Sequence, residues 1–380
     1  MTLRCVTYDS NNAFVALEKS WRALAERTPG VSLFSSWEWQ STWWKHYGGT
    51  RSPRIITVWN GGELIGLLPI YLTPEVTIPG VPGIEARLVA SGGDTSPDYL
   101  GALVDPQWES DVSVRLIDAL LAGASEWDTL RFTDMSRNSF TEALAPSLQN
   151  GTVHTEATPA EQIQIVRLPP SWDEYLGAMG RDRRYRARRQ RKLAQSEIGA
   201  EFRVYSRSDE LRRAFPMLIQ LHRKRWTAKD ANEGSFRTDR YINFHSEVME
   251  LCAENGWVRL YSLEVPGASA GEPPRPIAMF YCYRYRDEIL YFQSGFDPEY
   301  EKYSPGHVLM GFSIESALGE GALVFDMLKG NHAYKSMWAN DSRTTQQIVA
   351  HRSTVPGLMA LGQRWLKRFA RELIPRTGSS

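Results

Sequence analysis

Two stretches rhyme across the chain: SGGDTSPDYLG at 91–101 and QSGFDPEYEKYSPG at 293–306. Each follows β-rich runs and precedes an apolar helix and a short buried strand. In the first half the order is the hairpin PRIITVWNGGELIGLLPIYL, the strand IEARLVASGG, the loop, the helix SDVSVRLIDALLAGA and the strand WDTLRFTDM. In the second half WVRLYSLEV and the meander IAMFYCYRYRDEILYFQSGF lead to the loop, the helix SPGHVLMGFSIESALGEG and the strand ALVFDML. Asn60-Gly61-Gly62 marks the first hairpin, and Arg286-Asp287-Glu288 the tight turn of the second. A chain of 380 residues is long for one core. The pattern predicts an α/β (α+β) protein of two tandem domains, 1–160 and 161–380, each a mixed, mostly antiparallel sheet flanked by helices. The repeat is one of element order, not of residue identity.

Helices flank these runs. VALEKSWRALAERT and SSWEWQSTWWKHYGG read as helices, the second capped by Ser35 or Ser36 and stopped at Gly48-Gly49. Trp37, Trp39, Trp43 and Trp44 crowd into it and predict dense aromatic packing or a ring-lined cleft. TVHTEATPAEQIQIVRLPP reads as the passage between the halves, and 172–196 as one Arg-rich helix. The terminal helix PGLMALGQRWLKRFARELI sets Leu358, Leu361, Trp365 and Phe369 on one stripe, with Arg364, Lys367, Arg368 and Arg371 beside it. It predicts packing on the domain, with peripheral contact to an anionic membrane through 356–374 as the alternative.

Composition removes several classes. Lys+Arg and Asp+Glu are equal at 44 each, so the chain as a whole is no polyanion binder and DNA is not an expected partner. Cys5, Cys252 and Cys282 are scattered without metal-ligand spacing, so no metal is expected. The start MTLRCVTYDSNNAF has no basic-then-apolar leader pattern, and no apolar run reaches a membrane span, which predicts a cytoplasmic protein. No Ser-His-Asp order, P-loop, GxGxxG or HExxH is present.

Four stretches could carry chemistry. At Tyr303-Ser304-Pro305-Gly306-His307 a helix opens after a strand and loop, with Ser304 as cap and Pro305 at its first position. The N–H groups of such a first turn favour an anion; a well-capped helix without a ligand fits equally. FDMLKGNHAYKSMWAN, residues 325–340, ends a buried strand, turns at Gly330 and opens a helix for which Asn331 is the expected cap, carrying Tyr334 and Lys335. Both side chains have reference pKa values near 10, so neither is a base at neutral pH. Lys335 suits an oxyanion; Tyr334 suits giving a proton to a leaving thiolate or orienting a carbonyl. The plain alternative packs Tyr334 on Trp338 and leaves Lys335 in water. Asp326 is the nearest carboxylate. RDRRYRARRQRKL has eight Lys/Arg in the twelve positions before Leu193 and reads as a solvated face or a phosphate-contacting helix. Arg225-Trp226 leave a helix into a polar loop, which is either a connector or a substrate loop.

The second half resembles the GNAT-superfamily acetyltransferase-like proteins associated with cellulose and exopolysaccharide biosynthesis, which are related to the Fem peptidyltransferases. YFQSGFDPEYEKYSPGHVLM, GEGALVFDMLKGNHAYKSMWA and the Arg-rich helix carry the resemblance over roughly 175–350. LFSSWEWQSTWW, GGELIGLLPIYL and SPDYLGALVDP extend it more loosely to the first half. It implies tandem GNAT-like domains and acyl transfer from acetyl-CoA or another acyl-CoA to an amine of a small molecule or glycan precursor. It places the CoA pyrophosphate at Ser304, Pro305, Gly306 and His307, and Lys335 at the reacting carbonyl; beside it we expect Tyr303 to join the cofactor site and Arg225, Trp226 and Gly330 to meet the substrate. The usual pyrophosphate loop Q/R-x-x-G-x-G/A is reduced here to one glycine. A Fem-like transferase using aminoacyl-tRNA, with the Arg-rich helix on the RNA, and a non-catalytic scaffold are the alternative readings.

Overall fold

The computed structural model describes residues 3–78, 81–95, 97–149, 151–230, 234–269, 271–330 and 333–373. Contacts divide the chain into Met1–Glu161 with Thr344–Ser380, and Gln162–Arg343.

The first unit begins with β1 (Leu3–Tyr8), α1 (Ala13–Arg27), α2 (Trp37–Tyr47), β2 (Ser52–Asn60), β3 (Glu63–Ile78) and β4 (Val81–Leu88). It continues with β5 (Leu103–Val104), α3 (Glu109–Ala122), β6 (Thr129–Met135), α4 (Ser139–Leu148) and β7 (Val153–Arg167), which runs on into the second unit. β2 and β3 pair up to Asn60↔Glu63 across a two-residue Gly61-Gly62 turn, as the alternation predicts. β4 and β6 are parallel neighbours; β1–β2, β2–β3 and β3–β4 are antiparallel. Helical spacing places Phe14, Leu17, Trp21 and Leu24 of α1 in the core. Ser36, not Ser35, caps α2 by accepting the Trp39 N–H. The tryptophans there are packing: Trp39 and Trp43 are fully buried, and Trp43 stacks on Tyr47 with ring centres 5.5 Å apart.

The second unit holds α5 (Trp172–Ala178), α6 (Arg181–Ile198), β8 (Glu201–Tyr205), α7 (Ser208–Asp230), α8 (Asp239–Glu254) and β9 (Val258–Val265). β10 (Arg275–Tyr285), β11 (Glu288–Phe296), α9 (Pro305–Gly319), β12 (Val324–Asp326) and α10 (Ala333–Trp338) follow. Its sheet runs β7-β12-β11-β10-β9-β8, antiparallel except for the β11–β12 pair. α9 makes the crossover between those two strands. It is apolar all round and buried, with Val308, Leu309, Met310, Phe312 and Ile314 in the core. Cys252 and Cys282 are core thiols, and Cys5 is exposed.

The chain then returns to the first unit through β13 (Asp341–Arg352) and α11 (Val355–Leu373). β13 pairs antiparallel with β6, and α11 packs on β3 and β4, so 344–380 sits with the first unit although the sequence pattern assigned it to the second. Three further expectations change. The Arg-rich segment is two helices, because Met179 and Gly180 are extended between them. The passage at 152–170 contains a 15-residue strand, β7. α7 continues past Trp226 to Asp230. Among the described residues no helix is long and apolar enough to cross a membrane.

Candidate functional site

The site grows from a splay in the second unit. β11 and β12 pair over three positions only, Glu288↔Val324, Ile289↔Phe325 and Leu290↔Asp326. β12 stops at Asp326, whereas β11 runs on to Phe296 with that edge released. On its other edge β11 stays on β10, but the ladder skips Phe292 between Tyr291↔Cys282 and Gln293↔Tyr281. Such a bulge bends and twists a strand. β11 then turns through a 3-10 segment, Pro298–Tyr303, into the start of α9. The carboxyl ends of two parallel strands thus diverge beside a helix N-terminus, the usual ligand crevice of an α/β sheet.

The start of α9 differs in detail from a plain cap. Ser304 is left-handed, at φ 51°, and its hydroxyl does not cap the helix. That hydroxyl accepts from Gln190 Nε2 of α6 at 3.1 Å, while the Ser304 carbonyl takes the N–H groups of His307 and Val308. Pro305 stands at the first helical position. A Cβ added at Gly306 would meet nothing within 4 Å, so its backbone faces open space. His307 Nδ1 accepts the Trp338 indole N–H at 3.1 Å, which leaves the imidazole proton on Nε2. That Nε2 is buried without a hydrogen-bond partner among the described residues. Burial, helped by Arg186, pushes the His307 pKa down to about 4, so the ring is neutral. The Tyr303 ring lies under the Lys302 ammonium and beside Tyr300.

The exit from β12 gives Lys335 a defined occupation. The side chain is buried, and Nζ donates to the carbonyls of Met327, Leu328 and Lys329 at 2.7, 2.9 and 2.9 Å. These carbonyls engage all three ammonium hydrogens, so an oxyanion contact would require one of them to be released. Leu328 and Gly330 are both left-handed, at φ 50° and 108°, which makes the sharp turn that brings the carbonyls round. Asp326 is fully buried; it accepts the Leu328 N–H at 2.8 Å and pairs with Arg343 at 3.3 Å. Arg343 also bridges Glu288. Asp326 thus ties the turn to its own strand end and to Arg343. The cap expected at Asn331 lies outside the described residues.

Tyr334 points elsewhere. Its hydroxyl lies 3.1 Å from that of Tyr291 on β11. Burial raises both phenols above their ordinary values, and the Arg225 charge pulls against it in both. Arg225 donates to Ser294 Oγ at 3.0 Å and lies over the Phe296 ring. Tyr334, Tyr291, Ser294 and Arg225 thus gather from α10, β11 and α7. α7 reaches this position because Gly295 has no side chain: a Cβ there would lie 2.3 Å from the His222 nitrogen. His222 then ties α7 to β11 and to the following turn, with Nδ1–H donating to the Ser294 carbonyl and Nε2 accepting the Ser235 N–H. Trp226 packs beside Gly234 and His222, with the Arg225 guanidinium 5.9 Å from its ring centre.

α6 has two faces. Arg191 pairs with Glu315 and lies 3.8 Å over the Phe312 ring, Arg184 holds the last carbonyls of α5, and Arg183 reaches the carbonyls of Ser336 and Met337. Arg181, Tyr185, Arg188, Arg189 and Lys192 are exposed. The basic run expected to be a solvated or phosphate-contacting face is therefore split between packing and solvent. The sequence pattern did not single out Tyr291 and Ser294. Among the described residues no group of three or more His, Cys, Asp or Glu is placed to hold a metal.

Residues 181–336 match the acetyltransferase (GNAT) domain family. No curated protein matches the chain in sequence. Among solved structures the chain is similar to FemX, at 14% identity and a TM-score of 0.63, with 95% of this chain and 99% of FemX covered. It is also similar to a conserved protein of unknown function from Bacteroides thetaiotaomicron VPI-5482, at 9% identity and a TM-score of 0.55, covering 91% and 100% of the two chains. The corresponding values for L-PGS from Bacillus licheniformis are 14%, 0.50, 92% and 96%. At these identities the likeness is one of fold.

Proposed function

We propose that the protein is an N-acyltransferase that moves an acyl group, with acetyl the first candidate, from acyl-CoA to an amine of a small molecule or of a polysaccharide or envelope precursor. The observation that carries this reading is the splay of β11 from β12 beside the open start of α9. The GNAT domain match over 181–336 supports an acyltransferase. In this reading the thioester lies along the released edge of β11. Ser304, Pro305, Gly306 and His307 receive the pyrophosphate at the positive end of α9, where backbone N–H groups and the helix dipole favour an anion. The buried His307 Nε2–H adds a neutral donor there.

The amine nitrogen attacks the thioester carbonyl carbon, a C–N bond forms and the C–S bond breaks. The departing thiolate takes the phenolic proton of Tyr334, and the surplus proton of the amine restores that phenol. Burial keeps the phenol protonated, as an acid requires. Arg225 sets the Tyr291–Tyr334 pair and the acceptor side of the crevice. Lys335 and Asp326 hold the turn that shapes it. Association with cellulose or exopolysaccharide synthesis belongs to the same proposal and rests on the family resemblance.

The test is amide formation from acetyl-CoA and a panel of amines and amino sugars, read by mass spectrometry and thiol release. Turnover supports the reading; no CoA release with any amine argues against it. The fold likeness to FemX and the exposed basic side of α6 favour a second reading, an aminoacyl-tRNA-dependent transferase. Salt-sensitive binding of aminoacyl-tRNA, with no effect of acetyl-CoA, would favour it.

A further inference from the structure

Helix α11 is seated with its faces reversed. The side against the first unit is small and polar. Gly357 is pressed so closely that a Cβ would lie 2.2 Å from the Arg352 carbonyl oxygen, Ala360 is buried, and Arg364 pairs with Glu156 at 3.0 Å. Pro356 rests on Gly83 of β4. The apolar residues are turned outward: Val355 is 64% exposed, Leu358 46%, Trp365 67% and Leu366 71%. With Gly362 they fall on one arc about 100° wide at 3.6 residues per turn. A helix ordinarily buries such a stripe, and an exposed contiguous one marks a contact surface.

Charge and size choose the occupant. Beyond Arg364, which Glu156 already pairs, the helix sequence carries Lys367, Arg368 and Arg371 against a single acidic residue, Glu372. An apolar stripe with an indole, on a helix with that charge excess, matches the boundary of an anionic lipid layer. Among the described residues the four exposed apolar side chains offer roughly 400 Å² of surface, half of the ~800 Å² per partner that stable protein pairs bury. We propose that α11 docks the protein on an anionic lipid surface through Val355, Leu358, Trp365 and Leu366. This contact is independent of the acyl-transfer site, because none of these residues belongs to it.

The test is flotation of the full chain with phosphatidylcholine vesicles, with and without 30% phosphatidylglycerol (about a third anionic lipid). The expected result is binding to the anionic vesicles that weakens at high salt, and a loss of at least about tenfold in Trp365→Glu/Leu366→Glu. Both positions are exposed, so the variant should keep the wild-type melting temperature and any acyl-transfer activity. Absence of wild-type binding, equal binding to neutral vesicles, or equal binding by a folded variant overturns the proposal. A wild-type dimer in lipid-free buffer that the variant converts to monomer also overturns it and assigns the stripe to a second copy of the chain.

Discussion

Replacing Lys335 with Met separates two roles that the sequence could not distinguish. The substitution keeps most of the side-chain volume but removes the ammonium that holds the Met327, Leu328 and Lys329 carbonyls. A hydrogen bond to a charged group is worth about 1.5–3 kcal/mol, and burying the ammonium offsets part of that. The substitution leaves three carbonyls without their donor, at about 1–3 kcal/mol for each that stays unsatisfied, and with the relief of ammonium burial set against this we expect a net loss of about 3–5 kcal/mol. For a unit of this size that is a fall in melting temperature of roughly 10 °C. Urea unfolding and calorimetry measure it. The activity of Lys335→Met should fall with the loss of the turn. If stability instead drops by less than about 1 kcal/mol while kcat falls by 10²–10³, the residue acts on the oxyanion and its role as a clamp is refuted.

Tyr334→Phe should lower kcat by about 10²-fold or more with little change in KM or stability, the mark of a lost acid; unchanged kcat removes Tyr334 from the chemistry. Acid should destabilise the fold through histidines that are buried neutral. Burial pushes the pKa of His222 to about 4 and that of His245 to about 3, so the unfolded chain binds their protons first as pH falls. Their contribution is fully present above pH ~6.5 and is lost on acidification toward about 4 for His222 and about 3 for His245, at up to about 1.4 kcal/mol per pH unit for each proton. Equilibrium unfolding across that range in wild type and His222→Gln measures it, and the variant should show the shallower slope.

Much of the fold was legible because its signals are local. The β2–β3 hairpin, the apolar α9 and the parallel strand after it follow from alternation, turn residues and crossover handedness. β7 was not legible, because Pro159 and its polar neighbours read as a linker. The break between α5 and α6 rests on two residues, Met179 and Gly180. The anion-suited helix start and the Tyr334-Lys335 pair were visible, but their roles depended on tertiary contacts. Lys335 is committed by a turn that two left-handed residues create. Tyr291 and Ser294 become neighbours of Tyr334 and Arg225 only once β11 parts from β12. The amphipathic period of α11 was equally plain, yet the close seat of Gly357 and Ala360 and the Arg364–Glu156 pair turn its small, polar face inward.

The most direct test of acyl-CoA use is the melting temperature of the full chain titrated with acetyl-CoA, in wild type and in Gly306→Trp, which fills the open approach to α9. The account predicts a saturable rise for wild type, worth about 2.7 kcal/mol at a hundred times the dissociation constant, and none for a folded Gly306→Trp. No rise for wild type at millimolar acetyl-CoA, with stabilisation by aminoacyl-tRNA instead, would contradict it.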